Sequence, residues 1–224
     1  MTLPNSPRLP ARPSRELAEI CLLVHEFDQW PAEYMNTSRR EAFTPPPVPA
    51  TIWDNPRARR HLSRHIARTL DLRPCVPKRQ GAEWPVALLK AQALRRLARH
   101  VAAVASSVQV RRSLLREDVL AWRDWLTPAP FEFAQRTASL LPLKPGADTE
   151  IDRTLTAESV GLRWLARAAQ TWPEPVARRF LLKMTPADAE SPCGADPSAA
   201  MRLASSVLSI VEPGWCSLLA KNLH

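Results

Sequence analysis

Along the chain, apolar residues return every three or four positions in several separate stretches, and prolines collect in the gaps between them. That period marks helices with one buried side, because a 3.6-residue turn brings such positions onto one face. The first stretch follows Ser14, a suitable N-cap, and runs towards Gln29 with Leu17, Ile20, Cys21, Val24 and Phe27 facing inward. The second has Asn55 as its cap and Pro56 in its first turn, where a missing N–H loses no hydrogen bond, and buries Ala58, Leu62, Ile66 and Leu70. The longest helix is predicted from Pro85 to about Val108, through Val86, Ala93, Leu94, Leu97, Val101, Val104 and Val108. From about Ser113 to Leu126 the inner positions are Leu115, Val119, Trp122 and Leu126, with Trp125 beside them, and Thr127-Pro128-Ala129-Pro130 ends the run. Further helices are predicted at Phe131 to Leu141, Thr156 to Thr171, Pro175 to Met184 and Ser198 to Val211. The segment Pro175 to Met184 is apolar nearly all round and predicted to be buried.

The expected fold is therefore an all-α, non-repeat domain of about seven or eight helices with proline-rich connections. Its expected organisation is a flexible segment 1–13, a helical body 14–184, a polar, proline-bearing linker 185–197 and a C-terminal helical segment 198–224. The run Pro45, Pro46, Pro47 and Pro49 reads as an extended connection.

Composition narrows the chemistry. The chain has 224 residues, enough for one domain or a compact pair, and 45% of them are hydrophobic, too many for wholesale disorder. It holds 23 prolines and only five glycines. Gly81, Gly146, Gly161, Gly194 and Gly214 are too scattered for a phosphate-cradling loop or a dinucleotide fingerprint, and no Gly-x-Ser-x-Gly elbow occurs. The four cysteines, Cys21, Cys75, Cys193 and Cys216, lie far apart and read as reduced thiols. No apolar run of about 18 residues suits a membrane span. The segment Met1 to Ala11, with Pro4, Pro7 and Pro10, lacks the apolar stretch of a secretory signal, so a cytosolic location is expected.

His61 and His65 stand four apart on one predicted helix, a spacing that can share a metal, with Cys75 conceivable as a third ligand. No Glu lies between them as in a metalloprotease helix, and Arg60 and Arg64 would repel a cation, so the pair reads as solvated. His25, His100 and His224 have no evident nucleophile–acid company. No catalytic, metal-binding or cofactor-binding residue is nominated.

Charge supplies the strongest surface feature. Against 22 acidic residues stand 31 Lys and Arg, a formal net charge of +9. Arg57, Arg60, Arg64 and Arg68 fall together on the outer side of the second helix with no acid between them, and Arg39 and Arg40 lie upstream. Guanidinium rows suit phosphates, acidic lipids or an acidic protein face, although a solvated helix side explains them equally. Of eight tryptophans, Trp122 and Trp164 read as core anchors, while Trp30, Trp53 and Trp125 lie at edges where aromatic residues often hold partners.

Three stretches resemble the SctK family, the cytosolic adaptors of type III secretion sorting platforms. Phe27-Asp28-Gln29-Trp30-Pro31-Ala32-Glu33-Tyr34-Met35-Asn36-Thr37-Ser38-Arg39 is similar to that family's Pro-Ala-x-Tyr-x-His-Pro-Ser-Arg motif, with Asn36-Thr37 in place of His-Pro. The region Leu94 to Phe133 contributes Leu94-Arg95-Arg96-Leu97-Ala98, Val110-Arg111-Arg112, Leu120 and Phe131-Glu132-Phe133-Ala134. Gly161-Leu162-Arg163-Trp164-Leu165, followed by Pro175 to Met184, is similar to the family's arginine-then-Leu-Lys-Leu-Pro ending, with Met184-Thr185 in place of Leu-Pro. The resemblance implies a non-enzymatic, helical adaptor at the cytosolic face of the inner membrane. It would join the cytoplasmic domain of the inner-membrane ring protein to the pod protein, and through the platform the export ATPase. Its arginine-rich and proline-rich character fits the Hrp-type branch. Nominated contacts are Arg57, Arg60, Arg64 and Arg68 for charge and Trp30, Tyr34 and Trp125 as anchors. The alternative expectation is a basic helical nucleic-acid-binding protein.

Overall fold

The computed structural model describes residues 15–44, 48–75, 81–137 and 151–222. Among them all regular structure is helical, so the all-α expectation holds, but there are thirteen α-helices rather than seven or eight. The helix α1 (Arg15–Gln29) leads into a single turn, α2 (Pro31–Tyr34). Three 3₁₀ turns, Thr37–Arg39, Glu41–Phe43 and Ala50–Asp54, precede α3 (Pro56–Thr69). Then come α4 (Trp84–Ala87), α5 (Ala91–Ala105), α6 (Ser107–Arg112), α7 (Arg116–Leu126) and α8 (Pro128–Thr137). The chain closes with α9 (Ala157–Ala169), α10 (Glu174–Leu181), α11 (Pro186–Glu190), α12 (Pro197–Val211) and α13 (Pro213–Asn222).

The count is higher because α2, α11 and α13 are additional and because the long helix expected over Pro85 to Val108 is three helices. At its first break the Lys183 ammonium donates hydrogen bonds to the carbonyls of Ala87 at 2.6 Å and Leu89 at 2.7 Å. At the second, the Ser106 hydroxyl donates to Ala102 O at 2.9 Å and Ala103 O at 3.2 Å, a back-bond that bends helices. The redirected chain leaves Val108 exposed, not buried. Leu115, expected on an inner face, is likewise exposed at the N-cap of α7, and Cys21 is exposed on α1. Thr127-Pro128-Ala129-Pro130 ends α7 and at once begins α8, with Thr127 at φ 69° making the corner. The last residues of the helix expected to reach Leu141 lie outside the described residues, as does the segment 1–13.

Two apolar clusters organise the molecule. The larger packs α5, α9 and α12 together with α1, α4, α7, α8, α10 and α13 around residues such as Leu97, Val101, Trp164, Leu165, Phe180 and Val207. Helix α9 lies so close to α5 that a Cβ on Gly161 would come 1.8 Å from the Ala98 carbonyl oxygen, which is why glycine stands there. The smaller cluster, Ala32, Met35, Trp53, Leu62, Ile66, Leu72 and Leu182, seats α3 on α2 and the third 3₁₀ turn. The span 185–197, expected as a linker, contains α11, which is capped by Thr185 and anchored by buried Asp188. Helix α12 contributes Ala200, Leu203, Ala204, Val207 and Leu208 to the larger cluster, so the C-terminal helices share the core of the preceding body. Among the described residues no single helix is long and apolar enough to cross a membrane.

Candidate docking surface and the polar corner beneath it

Helix α3 carries the arginine row for local reasons. The Asn55 side chain accepts from the N–H groups of Arg57 at 2.9 Å and Ala58 at 3.3 Å, which caps the helix, and Pro56 opens it. Leu62, Ser63 and Ile66 face inward, and buried Ser63 accepts a hydrogen bond from the Ala32 N–H at 3.2 Å. With that side fixed, Arg57, Arg60, Arg64 and Arg68 are all exposed. Among the described residues no carboxylate lies within salt-bridge range of any of the four. Arg59, off the row, is the guanidinium that finds an acid, Glu33 at 3.0 Å, and it also donates to Trp53 O at 3.2 Å.

The upstream arginines do not extend the row. Arg39 donates to Met184 O at 2.8 Å and Thr185 O at 3.4 Å, and Arg40 lies over the Trp53 ring at 5.1 Å. Of the nominated aromatics, part-buried Trp30 sits at the row's edge, with the Arg60 guanidinium 5.4 Å above its ring and His25 edge-on at 5.4 Å. Tyr34 is an inward support, not an anchor for a partner. Its hydroxyl donates to Phe27 O at 2.8 Å, its ring stacks on Phe27, and burial raises its pKa. Trp125 belongs to a different part of the fold. It donates to Leu155 O at 2.7 Å and lines an open groove with Ile151, Asp152, Arg153 and Thr154. Trp53, also placed at an edge by sequence, is buried and donates to the Thr44 hydroxyl at 2.9 Å.

Sequence reasoning missed a polar corner where α1, α2, α4 and α10 meet. Helix α10 is not apolar all round: Arg179, only 2% exposed, pairs with Asp28 at 3.0 Å. Its remaining N–H groups reach the carbonyls of Asp28 at 3.2 Å, Arg73 at 2.7 Å and Pro175 at 3.1 Å, so the charge is well satisfied. The Asp28 carboxylate also accepts from the Cys75 N–H at 2.8 Å and its thiol at 3.2 Å. Burial, reinforced by Asp28, pushes the Cys75 thiol up to about 12, which keeps it protonated as a donor to the Asp28 carboxylate. His61 and His65 stay exposed, and among the described residues no three metal-ligating side chains come together.

Lys183 completes the corner. The residue is part-buried, but its ammonium is enclosed on the two α4–α5 carbonyls, 5.2 Å from the Phe27 ring centre and 5.3 Å from that of Tyr34. Burial lowers its pKa to about 7. The available signal was a cation at each end of Arg179-Phe180-Leu181-Leu182-Lys183 within an apolar segment, together with Asp28 directly after inward-facing Phe27. These cations tie backbone carbonyls of separate elements together, while Arg57, Arg60, Arg64 and Arg68 are exposed on α3. Compared with known proteins, the chain matches no family model, no curated protein and no solved structure.

Proposed function

We propose that the chain is a non-enzymatic adaptor of a type III secretion sorting platform, at the cytosolic face of the inner membrane. It links the cytoplasmic domain of the ring protein to the pod protein. One observation carries this reading: the three stretches that resemble the SctK family are packed on one another. Asn36 N–H donates to Leu182 O at 2.8 Å, Arg39 to Met184 O, and Arg179 pairs with Asp28, so the first and third stretches form one corner. Gly161 of the third stretch rests on Ala98 of the second. Residues that resemble one family and also meet in space are supported as a structural unit, whose work is to hold α3 outward.

The row on α3 then serves as the charged face, steering an acidic surface of one partner, with Trp30 at its rim. Exchange of Arg57, Arg60, Arg64 and Arg68 for Glu leaves the inner side of α3 intact. In pull-downs with purified ring domain and pod protein, it is expected to weaken capture of one of them by about tenfold or more at low salt. Undiminished capture of both by a folded variant removes the row from the interface. The same exposed guanidiniums favour a second reading, a nucleic-acid-binding protein, which predicts nucleic-acid binding that falls steeply as salt rises.

A further inference from the structure

The corner between α6 and α7 presents apolar side chains with no cover. Leu114 is 91% exposed and Leu115 68%, and Leu120, one turn into α7, is 45% exposed. Single exposed leucines are ordinary, but two adjacent ones at a corner are not. The corner is built rather than loose. Ser113 donates from its hydroxyl to Gln109 O at 3.0 Å and accepts from the Trp122 indole at 3.1 Å, which holds the end of α6 to the buried side of α7.

Basic groups flank the leucines. Arg111 and Arg112 precede them and Arg116 follows, in the order Arg111-Arg112-Ser113-Leu114-Leu115-Arg116, and all three are exposed. On the helical wheel of α7, Leu120 has Arg116 and Arg123 on one side and Asp124 and Glu117 at the same angles on the other, with Asp118 on the far side, so the basic excess of the corner comes from Arg111, Arg112 and Arg116 beside the leucine pair. Among the described residues none of these four arginines has a carboxylate in salt-bridge range. A protein partner would have to supply a pocket shaped for a projecting leucine pair. A lipid surface needs none, because its headgroup boundary yields to apolar side chains and offers phosphates to guanidiniums.

We propose that this corner docks on an anionic lipid bilayer, with Leu114 and Leu115 entering the headgroup boundary and Arg111, Arg112 and Arg116 on lipid phosphates. The proposal stands independently of the adaptor reading, since it uses neither the resemblance nor α3.

The test is co-sedimentation of the purified chain with phosphatidylcholine vesicles, with and without phosphatidylglycerol. Leu114→Ser with Leu115→Ser, and Arg111→Gln with Arg112→Gln and Arg116→Gln, are compared with a variant in which the α3 arginines are Gln. Circular dichroism checks that each keeps its helices. The expected result is binding to the anionic vesicles, weakened about tenfold or more by the leucine pair and by the corner arginines. The α3 variant is expected to retain that leucine dependence. Absence of binding overturns the proposal. So does binding indifferent to the leucines, which would reflect general attraction to a chain of net charge +9. Unchanged vesicle binding with lost self-association or lost capture of ring or pod protein also overturns it, by making the corner a protein contact.

Discussion

Asp28 is held by four donors, the Arg179 guanidinium, the N–H and thiol of Cys75 and the side-chain amide of Gln29. A part-buried carboxylate with that company is stable where it is, and removing it would strand the Arg179 guanidinium inside the protein. Among the described residues Lys183 has no carboxylate in salt-bridge range, and it keeps its place through carbonyls and aromatic faces. It therefore imposes a pH dependence. Folded Lys183 releases its proton near pH 7, whereas in the unfolded chain it holds it towards the ordinary value of 10.5. Between those values the unfolded state binds the extra proton, so rising pH favours the folded state. Wild type is expected to gain stability relative to Lys183→Met from pH 7 to 9, by no more than about 1.4 kcal/mol per pH unit, in urea denaturation at several pH values. A difference that does not change with pH would contradict this. The raised pKa values of Cys75 and Tyr34 act in the opposite sense at higher pH, which the comparison with the variant cancels. Neither buried cation was legible from periodicity, which places arginine and lysine outward by default. Arg179 is inside because Asp28, 151 residues away, meets it there.

At the scale of elements, legibility followed locality. The start of α3 was readable because cap, proline and inner face all lie within a few residues, and each expected outward arginine is exposed. Helices α9 and α12 were readable for the same reason, their apolar positions recurring without interruption. The break between α4 and α5 was not, since the lysine that holds its carbonyls is 96 and 94 residues away from them. Helix α11 was missed because proline and polar composition reads as connection, although its proline occupies a first-turn position where a helix tolerates it, and α13 lies inside the segment 198–224 expected to be helical but was not separated from α12. The close approach of α9 to α5 also sits at this scale. Alanine is normally the better helix former, yet Gly161→Ala is expected to cost roughly 2 to 3 kcal/mol, because the added methyl meets the backbone of α5 and the helices must part. A thermal midpoint at or above that of wild type would show that α5 and α9 are not in such contact.

The whole molecule is one large core carrying a small one, with the α3 row displayed on the small core and the leucine corner on the large one. Sequence predicted the fold class and the basic row, and it nominated Trp30, which lies beside that row. It did not separate Tyr34, which supports the interior, from residues free to meet a partner, because an amphipathic ring looks the same in either role until its neighbours are known. Passive coupling of two proteins is the central claim, and size-exclusion chromatography of purified ring-protein cytoplasmic domain and pod protein, with and without this chain, tests it most directly. The account predicts that ring and pod co-elute only when the chain is present. Failure to form the three-part complex with folded components, or co-elution of ring and pod to the same extent without the chain, would contradict it.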